Sequence, residues 1–194
     1  VGGTSGAGKT TAARSLARRF GVGLAQADAF RLAIERVTTP EQQPALHFFK
    51  TPEARALDPE AACERWIEAG RVTSYALEIV IAFHLATHAP IILEGDTLHP
   101  GLLRKRYLPG ARPGNNVRGI FLVEPDEERI LASCRHRGRG FQELTPDEQE
   151  REARRHWLYG RWIEAEAARV GAPVLHPAAP GEVAAQVAAA LGLA

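Results

Sequence analysis

Apolar side chains recur with a helical period from Thr10 to Phe20, where Ala12, Ala13, Leu16, Ala17 and Phe20 share one face and Gly21 and Gly23 end the run. The spacing predicts a helix there, then a short strand over Gly23 to Gln26 and a second helix from Ala29 to Arg36, just past Asp28. Between Thr38 and Asp58 the periodicity lapses among Pro40, Pro44 and Pro52, so that stretch is expected to be mostly loop, with one turn around Leu46 to Phe49. Asp58-Pro59-Glu60 supplies a capping acid and a proline at the first helical position. The helical pattern it opens reaches about Thr87 and is expected to be two helices meeting near Gly70.

Two continuous apolar runs follow. Pro90-Ile91-Ile92-Leu93-Glu94-Gly95 ends in an acid and a glycine, and Val117 to Val123 is a second run; both read as buried parallel strands. Pro125 and Asp126 open a helix to about Arg135, which Gly138-Arg139-Gly140 breaks. Thr145-Pro146-Asp147-Glu148 forms a capping box at the start of a helix reaching about Val170. Pro173 to Leu175 reads as a last strand and Gly181 to Leu191 as a closing helix. Strands alternating with helices predict an α/β protein, its mainly parallel sheet of about five strands covered on both faces.

A chain of 194 residues, 45% hydrophobic and 24% charged, suits one globular domain over 1–194. The net charge of +1 gives no bulk attraction to nucleic acid or to a membrane surface. No apolar run approaches a bilayer span and no charged-then-apolar leader opens the sequence, so a soluble, cytoplasmic protein is expected. Cys63 and Cys134 show neither a disulfide framework nor a zinc spacing. All but three of the 24 basic side chains are arginine, which suits phosphate chelation and equally a GC-rich genome. With no methionine in the chain, the strand that should precede Val1 is expected to lie upstream of this sequence.

Chemistry concentrates first at Gly3-Thr4-Ser5-Gly6-Ala7-Gly8-Lys9-Thr10, which fits G-x-x-x-x-G-K-[ST] at every fixed position. Glycines let such a loop curl until successive backbone N–H groups point at a polyphosphate, and the following helix adds the positive end of its dipole. Lys9, facing solvent or ligand, should reach the β- and γ-phosphates of ATP or a similar nucleotide. The Thr10 hydroxyl should hold Mg²⁺, and Thr11 should meet the α-phosphate. No N-K-x-D guanine-reading motif is present, and the chain is short for a helicase or transporter ATPase, which leaves the kinases.

Three further features fit that class. Asp28 should emerge beside the γ-phosphate, either to take the acceptor's proton as general base or to cap the helix from Ala29. Arg31, one turn on, is a candidate ligand for an acceptor phosphate or carboxylate, or else a solvated side chain. Glu94, at the end of its strand, is positioned to hold a metal-bound water or the acceptor, with Asp96 a second candidate. Arg135, Arg137 and Arg139 crowd one segment between helices; over a triphosphate they would form a lid neutralising charge on the transferring group, otherwise a basic loop. Arg151, Arg154 or Arg155 on the next helix also fit that role.

The loop, Asp28 with Phe30-Arg31, the strand Ile91 to Gly95 and the arginine-rich segment together resemble the small-molecule P-loop kinases, among them gluconate kinase, shikimate kinase and chloramphenicol phosphotransferase. Among these the resemblance is nearest to 2-phosphoglycerate kinase. It implies a three-layer α/β/α P-loop kinase fold of the nucleoside-kinase-like type, ATP as donor, an acceptor-binding helical region at about 29–88 and a lid at about 135–145. Many relatives have Asp where this chain has Glu94, so its role as metal holder or acceptor ligand stays open. His176, after the last strand, falls where relatives hold the adenine edge.

The expected function is transfer of the γ-phosphoryl group of ATP, with Mg²⁺, to a hydroxyl of a small molecule, a metabolite such as a phosphorylated or sugar acid or an antibiotic, Asp28, Lys9 and Arg137 acting at the reacting atoms. His47 and Lys50 bracket Phe48 and Phe49 in the segment expected over the acceptor, where the two rings fit plain packing as well. Trp66, Tyr75 and Phe83 could line the acceptor pocket but are expected in the core; His84 and His88, one turn apart without a third ligand, fit a helix end better than a metal site; Trp157, Tyr159 and Trp162 are expected as anchors to the sheet. A polynucleotide or tRNA-end kinase would need a basic groove with interleaved aromatics. Arg104-Lys105-Arg106-Tyr107 is the one patch of that kind, and it reads as a solvated helix face, so nucleic acid is disfavoured. A nucleotide-sensing module is the other alternative. Monomer and homodimer both remain open.

Overall fold

The computed structural model describes residues 1–109, 116–137, 141–177 and 182–193, with Arg55 and Arg137 described in backbone only. Among these residues the strands are short and every pairing is parallel. β1 (Gly2–Gly3) pairs with β4 (Phe121–Leu122), which pairs with β5 (Val174–Leu175); β2 (Gly23–Gln26) pairs with β3 (Ile91–Glu94). Two backbone hydrogen bonds link these groups, from Val1 N to Leu93 O at 2.7 Å and from Gly95 N to Val1 O at 3.2 Å. The order in space is therefore β2, β3, β1, β4, β5, which puts the strand feeding the loop of residues 3–8 in the middle.

The apolar run ending at Val123 lacks alternation because both of its faces are covered. Ile120 and Leu122 pack with Ala12 and Leu16 of α1 (Lys9–Phe20) and Val183 and Val187 of α8 (Val183–Ala190). Phe121 and Val123 turn the other way, onto Cys63 and Ile67 of α5 (Pro59–Ala86) and Tyr159 and Ile163 of α7 (Pro146–Val170). Fully burying one such large apolar side chain contributes about 1.5–3 kcal/mol.

Helix ends follow their caps. Asp58 accepts from Ala61 N at 2.7 Å at the head of α5. At α7 the capping box is complete: Glu148 N donates to Thr145 Oγ1 at 3.3 Å and Thr145 N to Glu148 Oε2 at 2.8 Å. α1 ends on Gly21 and α7 on Gly171, both left-handed.

Elsewhere the structure corrects the pattern. α2 spans Ala27–Val37, so β2 runs straight into it; Gln26 is the cap residue and Asp28 lies inside the first turn. The stretch expected to be loop holds α3 (Pro44–His47), a 3-10 turn (Phe48–Lys50) and α4 (Pro52–Ala56). Pro44 and Pro52 start helices rather than break them, since an N–H at the first position has no intrahelical partner to lose. α6 (Glu127–Arg137) carries Arg135 and the Arg137 backbone on a helix. Arg104 closes a 3-10 turn (Pro100–Arg104) and Lys105 pairs with Glu78 at 2.9 Å, so the basic patch is not a helix face. Tyr75 and Phe83 are 69% and 63% exposed, outside the core. Trp157 anchors to the loop before α6, its Nε1 donating to Pro125 O at 2.9 Å, whereas Tyr159 is fully buried and Trp162 packs beside it.

α5 is one helix, not two. Gly70 sits in mid-helix where the Nε2 corner of His99 meets it: a Cβ there would lie 2.1 Å from His99 Nε2. Burial drives the His99 pKa down to about 4, so the ring is neutral as it wedges between Gly70 and Trp162. Gly70→Ala gains helix propensity but overpacks this contact, and is expected to destabilise by about 1–3 kcal/mol. A thermal melt would register roughly 2–4 °C of loss per kcal/mol. No helix among the described residues is long and apolar enough to cross a membrane.

Candidate functional site

The glycine loop is the turn between β1 and α1. Gly3, Gly6 and Gly8 all have positive φ, and at Gly3 a Cβ would lie 1.9 Å from the Leu122 carbonyl oxygen, so the loop leaves the sheet only as glycine. Gly8 heads α1 with no side-chain cap, which leaves the first helical turn open to an external acceptor. Thr4 is fully buried and its Oγ1 accepts from Glu124 N at 3.1 Å, tying the loop to the end of the β4 run. Ser5, Gly6, Gly8 and Thr10 are half-buried, Ala7 is buried and Thr11 is exposed.

Lys9 does not face solvent as expected; it is 6% exposed. Its Nζ donates to Thr4 O at 2.6 Å and pairs with Asp96 just past β3, folding the ammonium back over the loop. Thr10 Oγ1 donates to both oxygens of Glu94, at 3.1 and 3.2 Å, and Gln26 Nε2 donates to Glu94 Oε1 at 3.0 Å. Thr10 Oγ1 and the Glu94 carboxylate are hard oxygen donors, the type Mg²⁺ takes, and the described residues hold no group of three or more His, Cys, Asp or Glu side chains that could hold a metal ion.

Asp28, in the first turn of α2, completes this end of the sheet. Burial pushes its carboxyl above the usual carboxylate range; Asp96 adds to the rise, while Arg31 and Lys9 oppose it. Asp28 Oδ1 is buried without a hydrogen-bond partner. Beyond Asp28, Arg31 Nη1 donates to Glu35 Oε2 at 3.1 Å, and Lys50 pairs with the same carboxylate. His47 lies 3.4 Å from Thr38 Oγ1.

Arg155 is the functional candidate whose place the sequence left undecided. It is 6% exposed and held by Glu152, whose carboxyl is kept well below the usual range by Arg155 and His156 despite the opposing effect of burial. Its guanidinium lies 5.1 Å from the Trp66 ring and 5.7 Å from that of Phe49. A signal was present: Arg155, Tyr159 and Ile163 recur every four residues, so a charge stands on the buried face of α7.

The other predicted residues are not brought into this cluster by side-chain contacts. Arg135 Nε donates to Gln149 Oε1 at 2.7 Å, and Arg154 pairs with Glu127 at 3.0 Å, both between α6 and α7. Arg151 is exposed. Arg139 and its flanking glycines fall outside the described residues, as does the Arg137 side chain. His176 is half exposed and shares a hydrogen bond with Glu164 of α7 at 2.7 Å.

A cavity of about 710 Å³, lined by Ile81, Leu85, Ile92, Ile120 and Leu193 among others, opens at the opposite end of the strands from the glycine loop. In open parallel sheets ligands bind beyond the carboxyl ends of the strands, and that is where Thr4, Asp28 and Glu94 stand. Comparison of the chain with protein-family profiles, curated proteins and solved structures finds no match.

Proposed function

We propose that this chain is an ATP-dependent phosphotransferase, a single P-loop kinase domain of three-layer α/β/α type that phosphorylates a hydroxyl of a small molecule. One observation carries the reading: the glycine loop leaves the middle strand with Lys9 and Thr10 at its end, while Glu94 closes the neighbouring β3 and Asp28 follows β2 on the far side of β3.

The loop N–H groups would hold the phosphates, with Lys9 exchanging Asp96 for the β- and γ-phosphate oxygens. Mg²⁺ would supply positive charge that offsets the negative charge of the phosphates. Thr10 would hold it, with Glu94 orienting one of its waters. Asp28 accepts the acceptor's hydroxyl proton as that oxygen bonds to the γ-phosphorus; the bond from the γ-phosphorus to the bridging oxygen breaks and ADP leaves. The protein's contribution is positioning and charge. The segment from about residue 135 to 145 is proposed as the lid, its arginines meeting charge on the transferring group.

A screen for acceptor-dependent ATP consumption over sugars, organic acids, phosphorylated acids and aminoglycoside-like antibiotics tests the reading. Turnover with one class supports it; ATP binding with no acceptor in any class would make the chain a nucleotide-sensing module instead. Asp96→Asn gives a finer check. Freed from its partner, Lys9 meets the phosphates without competition, so nucleotide should bind about two- to fivefold tighter, the scale of a partly exposed ion pair worth up to about 1 kcal/mol. Titration with a fluorescent ATP analogue reads this. Weaker binding would make Asp96 part of the nucleotide or metal site.

A further inference from the structure

The second half of α5 is apolar on two sides. Ile67, Leu77 and Ile81 point inward and are buried. On the other side Val72, Tyr75, Ile79, Ala82 and Ala86 recur at alternating intervals of three and four, the spacing of a coiled-coil seam, with Phe83 beside them. Tyr75, Ile79 and Phe83 are nevertheless 69%, 72% and 63% exposed. The first half of the helix behaves differently. Its outer side carries Glu64, Arg65, Glu68 and Arg71, all exposed, with Arg65 and Glu68 paired at 3.2 Å, as a helix facing water should. Past Arg71 the polarity of that outer side reverses. A helix apolar on opposite sides is one that is covered on both, and a contiguous apolar patch of this kind marks a contact surface.

The seam fits a second copy of itself, and its charges select one direction. In a parallel two-fold pair every seam residue meets its own copy, so Arg65 would face Arg65 and Glu68 would face Glu68. An antiparallel pair separates these like charges. With the two-fold axis between Tyr75 and Ile79, Tyr75 of each copy meets Ile79 of the other and Val72 meets Ala82, a large side chain over a small one. Arg71 then falls at the last turn of the other helix, whose carbonyl groups without intrahelical partners carry the negative end of the dipole. Glu78 flanks the axis, and Lys105 neutralises it at 2.9 Å, so the two copies of Glu78 do not oppose the pairing. The size is sufficient. Aromatic side chains carry about 150–250 Å² each, so Tyr75, Ile79 and Phe83 of two copies would bury roughly 700–900 Å², and Val72, Ala76, Ala82 and Ala86 bring this to about 1,000 Å², the area a specific interface clears.

We propose that the chain forms a two-fold homodimer through this outer seam of α5, the two helices running antiparallel. The area is that of an exchanging dimer rather than an obligate one, so association in the micromolar range is expected. None of the seam residues belongs to the site around Lys9 and Asp28, so the proposal stands apart from the phosphotransfer reading.

Sedimentation velocity over about 1–100 µM should show wild type passing from monomer to dimer. Ile79→Lys puts an ammonium into the seam twice and should weaken association about a hundredfold or more. Because Ile79 faces water in the single chain, the variant should melt like wild type at dilutions where both are monomeric. A chain that stays monomeric throughout keeps the seam for some other occupant and overturns the proposal, as does a dimer that Ile79→Lys leaves intact. Direction is read separately by mixing Tyr75→Cys with Ile79→Cys under mild oxidation, since the native Cys63 and Cys134 are buried. Antiparallel pairing predicts a disulfide joining one variant to the other. Crosslinks of each variant to its own kind, or none, overturn the arrangement.

Discussion

Asp28→Asn is expected to lower acceptor phosphorylation by about 10²- to 10⁴-fold while leaving nucleotide binding unchanged, because the amide fills the same space but accepts no proton. The wild-type rate should rise with pH along a limb lying above the ordinary carboxylate range, since burial first and Asp96 second push the Asp28 carboxyl up. Stability should move the opposite way. A carboxyl with a raised folded pKa is protonated in folded and unfolded chains alike at low pH and costs nothing there. As pH climbs through the folded value, the charge is forced into the site and stability is lost. Asn never ionises. The variant should therefore melt higher than wild type at neutral pH, with the gap closing toward about pH 4, where free Asp protonates. A less active, more stable enzyme is the signature of a carboxylate kept for chemistry. Equal activity with lower stability would make Asp28 a structural residue of the first turn of α2.

The parts of this arrangement legible in the sequence are those written in local chemistry. The loop from Gly3 to Thr10, the Thr145 capping box and the strand over Gly23 to Gln26 each follow from residues adjacent along the chain, and the structure places them as read. What escaped depends on contacts between distant residues. Gly70 looked like a helix break because nothing nearby shows His99 lying against it, 29 positions later. Pro44 and Pro52 looked like loop because a proline at a first helical position and one in a coil are identical without the cap residue's backbone. Lys9 was expected in the open because the loop motif says where its ammonium goes with nucleotide present, not that Asp96, 87 residues on, holds it otherwise. Arg155 was one of three equivalent arginines until Trp66 and Phe49 gave it surroundings.

Lys9→Met should reduce turnover by about 10²- to 10³-fold, the range for removing one preorganised group that meets charge developing in the transition state. Methionine keeps most of the aliphatic stem, so the loop packing survives. The charge partner is a different matter. Asp96 loses its ammonium, but its side chain is 19% exposed and stays partly hydrated, so the stability cost should remain below the roughly 3–5 kcal/mol of breaking a fully buried pair. That cost and the catalytic loss have separate origins, and Asp96→Asn separates them. In the Lys9→Met/Asp96→Asn double variant the carboxylate that faced the ammonium is gone as well, so thermal melts should show part of the lost stability regained. Single-turnover kinetics should show the rate still depressed, since nothing in the double variant supplies a cation to the γ-phosphate. If the double variant recovered activity along with stability, Lys9 would serve only to neutralise Asp96, and the transferring phosphoryl group would have to find its charge among the arginines of the 135–145 segment.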